Sequence, residues 1–156
     1  MSAIQLLTTF STNQNSNFSL RYSTAGLPPT SFNEGSTLTF TARGTNIFSG
    51  YTIYWTILNI TTSSEDFSAT SGSIVLNLNL DPDLFGPFLP EANTYYGQFS
   101  FGIVSDFLTE GNETFKVQLR QYNIDGPILA TIPVGTVTFL GTTPDFYTIN
   151  DTSTSI

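Results

Sequence analysis

Residues 99–119 read FSFGIVSDFLTEGNETFKVQL, two runs of alternating apolar side chains on either side of a short acidic turn. Phe99, Phe101 and Ile103 make the first run, and Phe115, Val117 and Leu119 the second. A period of two puts one set of side chains on one face, so each run predicts a β-strand with a buried face. Between them, Asp106, Glu110 and Glu113 crowd into the corner Asp106–Phe115. Carboxylates held this close repel one another unless water or a cation lies between them. The corner therefore suggests calcium, which collects oxygen ligands from loops. The plainer alternative is a set of solvated loop carboxylates, with Glu113 accepting backbone N–H groups in the turn.

The same period recurs on both sides of this stretch. Leu38, Phe40 and Ala42 alternate with Thr37, Thr39 and Thr41, and Tyr51, Ile53, Trp55 and Ile57 share one face of the next run. Ile74, Leu76, Leu78 and Leu80 follow, and the last run sets Val134, Thr136 and Thr138 against Gly135, Val137 and Phe139. Each run is rich in Thr, Val, Ile or aromatics and is bounded by Gly, Asn, Ser or Pro, and none has a helical period. The expectation is an all-β chain: an antiparallel β-sandwich of about seven strands, with Trp55 as a core anchor.

A length of 156 residues fits one domain with room for an arm or an insertion. Charged residues are only 10%, against about 25% in ordinary soluble domains. Ser, Thr and Asn take their place, as suits a surface buried in an assembly or working outside a cell. Net charge is −8, with only Arg21, Arg43, Lys116 and Arg120 positive. Nucleic-acid binding needs a positive surface to displace counterions, so no nucleic acid is expected. The apolar runs are too short for membrane insertion. The absence of Cys and His excludes disulfides, thiolate nucleophiles, structural zinc sites and His-containing triads. Paired carboxylates also raise glycoside hydrolysis, but nothing in the sequence supplies the cleft and the protonated carboxyl that it needs. No catalytic residue is assigned, and the chain is read as no enzyme. The start MSAIQLLTTF has no basic n-region, long apolar core or cleavage site, so it does not read as a secretory signal.

Three segments depart from the strand rhythm. Residues 1–30 form a polar N-terminal arm in which Phe18, Leu20 and Tyr22 alternate, able to add a strand to its own sheet or to a neighbour's edge. Within the regular domain at 31–140, residues 81–94 form a proline-rich loop carrying Leu84, Phe85, Phe88 and Leu89. That loop either folds back over the core or presents an apolar contact to another subunit. Residues 141–156 read as a polar C-terminal tail with Phe146, Tyr147 and Ile149 embedded, which docks somewhere.

The order of the short blocks carries a family resemblance. Asn33-Glu34-Gly35 precedes a Thr-rich strand; Tyr54-Trp55-Thr56-Ile57 follows, then Asp66-Phe67 with Gly72-Ser73-Ile74, then Asp106 through Phe115. This order resembles the Calx-beta domain, in particular the Calx-beta-like modules of virion proteins of marine cyanobacterial phages. Those modules often close with a segment like Ile149-Asn150-Asp151-Thr152-Ser153. The resemblance implies an immunoglobulin-like sandwich with calcium held by loops at one end. It matches Glu34, Asp66, Asp106, Glu110 and Glu113 to ligand positions. Two departures thin that set: Ser105-Asp106 stands where the family has paired aspartates, and Gly141-Thr142-Thr143 where an acidic cluster ends the last strand.

The functional expectation is a non-enzymatic structural protein of a virus particle, such as a bacteriophage capsid decoration, fibre or appendage subunit. It would assemble in the host cytoplasm as a homo-oligomer, contacting itself and other virion proteins through its arm, loop and tail. The alternative is a calcium-binding adhesion module of a secreted bacterial surface protein, placed outside the cell. No cofactor beyond calcium is expected in either case.

Overall fold

The computed structural model describes residues 16–83, 89–106, 109–139 and 141–152. In chain order its strands are β1 (Asn17–Tyr22), β2 (Ser31–Asn33), β3 (Thr37–Thr45), β4 (Tyr51–Asn59), β5 (Ser71–Leu76), β6 (Thr94–Gly102), β7 (Glu113–Arg120), β8 (Ile128–Ile132), β9 (Val137–Thr138), β10 (Gly141–Thr142) and β11 (Tyr147–Asn150). A 3-10 turn covers Ser64–Asp66. No helix among the described residues is long and apolar enough to cross a membrane.

Among the described residues the strands pair into two main sheets, as the all-β sandwich expectation requires, and one small two-stranded sheet. The first has the order β1-β3-β6 and is antiparallel throughout. The second has the order β2-β11-β7-β4-β5, with β8 also on β7. Its pairs are antiparallel except β2 with β11, which runs parallel. On the one edge of β7, β11 pairs over residues 113–115 and β8 over residues 117–120. The chain between β8 and β11 leaves the sheet and forms the small β9–β10 hairpin.

Alternation decides what lies between the sheets. Leu38, Phe40 and Ala42 from β3 meet Phe99 and Phe101 from β6 on one side, and Ile53, Trp55, Phe115, Val117 and Leu119 on the other. The Trp55 ring stacks on Phe99 at 4.8 Å and on Phe101 at 5.4 Å, so Trp55 is a core residue as its position predicted. Burying each such ring stabilises the fold by about 1.5–3 kcal/mol. Opposite Trp55, a Cβ on Gly72 would lie 2.6 Å from the indole nitrogen, so glycine is what lets the ring occupy this place.

Two expected strands change here. The run at 134–139 is not a sheet strand: Pro133 ends β8, and Val134, Val137 and Phe139 lie exposed in and around the hairpin. The strand at that edge is instead β8, whose apolar run is closed by Pro127 and Pro133. The run Ile74–Leu80 stops at Leu76, because Leu78 makes only a single bridge to Tyr96 and Leu80 is half exposed. The tail segment 141–156 contributes β11, a strand held between β2 and β7.

The arm segment 1–30 likewise contributes β1 to this chain's own sheet. Leu20 is buried in the core, and the partly buried Phe18 and Tyr22 pack against it.

The 81–94 loop is fastened to the outer face of the first sheet at both ends of its described part. Arg21 pairs with Asp81 and with Asp83, the latter at 2.8 Å, and the Thr41 hydroxyl donates to Asp83 at 2.8 Å. Ser23 also donates to Asp83, and Arg43 pairs with Glu91 at 3.0 Å. Leu84, Phe85 and Phe88 lie outside the described residues, and Leu89 is 78% exposed.

Candidate metal centre

One end of the sandwich gathers the loops that follow β4, β6 and β11 and the turn that precedes β7. Asp66 closes the 3-10 turn after β4, where its carboxylate accepts the Ser63 backbone N–H at 2.6 Å. The turn is tied to the exit of β6, because Val104 N–H donates to the Asp66 carbonyl at 2.9 Å and Phe67 bridges Ile103. Asp106 lies just beyond β6. Glu110 sits beside Gly111, whose φ of 82° is the left-handed conformation that a tight corner favours in glycine. Glu113 opens β7 with the same alternation as Phe115 and Val117, so its carboxyl points to the core face at the open end of the sandwich.

Oxygen atoms of Asp66, Asp106 and Glu110 all lie within 4.8 Å of one another. Two oxygens bound to one calcium at roughly 2.4 Å can be no farther apart than about 4.8 Å, so the spacing satisfies a shared ion. Glu113 joins this group through a hydrogen bond with Asp66. The donor set is entirely carboxylate oxygen, which suits a hard cation and neither zinc nor copper.

The electrostatics show the strain of bringing these groups together. Loss of hydration, the hydrogen bond with Asp66 and the negative charges of Asp66, Glu110 and Asp106 push the Glu113 carboxyl up to about 7. Glu110 is also raised, by partial loss of hydration and then by Asp106 and Asp66. The chain's four cationic side chains are placed away from this end. Arg21 and Arg43 hold the 81–94 loop, and Arg120 donates to Thr56, Gln118 and the Gly126 carbonyl. Lys116 projects from the opposite face of β7 beneath the β9–β10 hairpin.

The sequence-predicted set is therefore mostly brought together. Asp66, Asp106, Glu110 and Glu113 meet, while Glu34 serves a neighbouring contact. Glu34 lies in the β2–β3 turn, where its carboxylate accepts the Thr152 backbone N–H and hydroxyl, both at 3.2 Å. One carboxylate was not in the predicted set. Asp151, directly after β11, accepts the backbone N–H groups of Glu110 and Gly111 at 2.7 and 2.8 Å. Its own N–H donates to Asn112 at 3.2 Å. The expectation that the last strand ends in Gly141-Thr142-Thr143 without acids is revised accordingly: those residues belong to the hairpin, and the closing strand β11 ends at Asn150 and is followed by Asp151. Alternation of Tyr147 and Ile149 before Asn150-Asp151 was the available signal.

No protein-family model matches the chain, and no curated protein matches it in sequence. Several solved structures are similar to it in shape. The apo-form Calx CBD1 domain has a TM-score of 0.44 at 14% identity, covering 89% of this chain and 99% of that one. The calcium binding domain CBD12 of CALX1.1 has a TM-score of 0.41 at 14% identity, and the match covers 85% of this chain but 44% of that one. AvmM, which catalyses macrocyclization in alchivemycin A biosynthesis, has a TM-score of 0.38 at 12% identity, with 90% and 92% covered. Superpositions this loose leave the all-β architecture of the chain resting on its own strand pairing.

Proposed function

We propose that this chain is a non-enzymatic β-sandwich module that binds calcium at the Asp66, Asp106, Glu110 and Glu113 end. The observation that carries the reading is the spacing of the carboxylates of Asp66, Asp106 and Glu110, all within reach of one ion. Asp66 and Asp106 would supply ligands on the sheet side, and Glu110 and Glu113 the corner side. Asp151 would hold the corner backbone in place. Calcium supplies positive charge there; the chain's residues order three loops around it and against the end of β11. Such a module stiffens a sandwich end and fits the adhesion-type reading of the sequence. Thermal melting tests it: saturating calcium should raise Tm over EDTA by about 5–10 °C at roughly a hundredfold excess over Kd. An unchanged Tm in millimolar calcium contradicts it.

A second reading, a structural subunit of a bacteriophage particle, is favoured by a different observation. Large apolar side chains stand out from the surface at Leu89, Val137 and Phe139, as a subunit that locks onto neighbours requires. Electron microscopy of particles carrying a tagged chain tests it; absence of the tag from purified particles overturns it.

A further inference from the structure

We infer that two copies of this chain pair through the β9–β10 hairpin, each inserting Phe139 into an apolar groove on the other. The groove has a volume of about 280 Å³ and is walled by Leu20, Tyr22, Leu27, Pro28, Pro133 and Pro144. A cavity of about 150 Å³ with apolar walls is enough to take a benzene ring, so a phenyl side chain fits here. Rigid proline rings and a tyrosine face offer flat apolar contact with little conformational freedom to lose on binding.

Phe139 supplies the matching ring. It follows β9 in the hairpin turn and, at 103%, is more exposed than any other large apolar side chain among the described residues. Val137 beside it is exposed as well. Knob and groove share a segment, because Val134 and Pro144, on either side of the hairpin, also line the groove. A ring on the hairpin and a groove at its base would be self-complementary under a two-fold axis, which makes both contacts at once and closes the assembly.

Charge favours the same occupant. With a net charge of −8, two copies repel over most of their surfaces. Among the described residues the groove lining contains no Asp or Glu, and the charge of Arg21 there is taken up by Asp81 and Asp83, so this face adds less repulsion than the acidic surfaces elsewhere. The acidic end is not involved, and the pairing does not depend on the calcium reading.

Sedimentation velocity of the full chain in EDTA, from about 5 to 500 µM, tests the inference. The expected result is a reversible dimer that Phe139→Ser weakens by roughly a hundredfold, since two rings lose their burial. Leu27→Asp, at a position 94% exposed and so harmless to folding, should weaken it similarly by charging the groove rim. Near-UV circular dichroism checks that both variants keep their tertiary packing. Mixing the two variants should restore part of the association, because one of the two contacts then joins an intact ring to an intact groove. Monomers at every concentration, or undiminished dimers of Phe139→Ser, overturn the inference. So does a mixture no more associated than its parts, the result expected if each ring folds into its own groove.

Discussion

Among the described residues, carboxylates cluster at the base of the 81–94 loop and at the acidic end, and the two clusters are balanced by different means. Asp81 and Asp83 are almost wholly buried, at 4% and 7% side-chain exposure, yet Arg21 sits between them. Hydroxyls of Ser23 and Thr41 also donate to Asp83, and the Asp83 backbone N–H donates to Asp81. At the other end, Asp66, Asp106 and Glu110 are more open to water, but the groups packed around them are largely other carboxylates. There the balance comes from raised proton affinity at Glu113 and Glu110. Burial alone would have pointed to the first cluster as the unusual one. Charge compensation points to the second, because Arg21 compensates the first and no cationic side chain among the described residues compensates the second.

The largest way to break this contrast is to remove the built-in cation. Arg21→Ala leaves two buried carboxylates without their partner and should cost about 3–5 kcal/mol in urea unfolding. The calcium-induced rise in Tm should survive in that variant, since the two clusters are independent. A loss below about 1 kcal/mol would show that the loop carboxylates are not held as described.

A smaller effect is expected where the acidic end uses its carboxylate for the backbone. Asp151→Ala removes the acceptor of the Glu110 and Gly111 N–H groups, and should cost about 1–2 kcal/mol. It should also weaken calcium binding by loosening the corner. Asp151→Asn keeps one oxygen acceptor and should be milder in equilibrium unfolding.

The pH dependence is the subtlest comparison. The Glu113 carboxyl titrates at about 7 in the fold against 4.5 for the ordinary group, so the folded state binds the proton more tightly. Its contribution to stability is complete below the unfolded value and is lost as pH rises through about 7. Melts in EDTA should therefore show Tm falling between about pH 5 and 8, and Glu113→Gln should flatten that slope. In calcium the increment should grow over the same window, because proton and cation compete for the same oxygens.

Much of this was legible in the sequence, and the failures have physical causes. Strict alternation in β3, β4, β6 and β7 gave the sandwich, because each strand buries one face and exposes the other. The Asp106–Phe115 corner was visible because its acids are close in sequence. Asp151 was missed as a partner because β11 is four residues long and its place between β2 and β7 is a long-range fact. The 134–139 run misled because alternation of Thr, Val and Gly needs no sheet behind it, and here both sets of residues border a free hairpin. Arg21 with Asp81 and Asp83 was invisible, since 60 residues separate Arg21 from Asp81.

The central proposal is that Asp66, Asp106, Glu110 and Glu113 together bind calcium. Isothermal titration calorimetry of calcium into the EDTA-stripped chain at pH 7.5 tests it most directly, beside the double variant Asp106→Asn with Glu110→Gln. Saturable binding with a Kd of about 1 mM or tighter in the parent chain, abolished in the double variant, is the predicted result. No binding in the parent, or equal binding in the two proteins, would contradict the account.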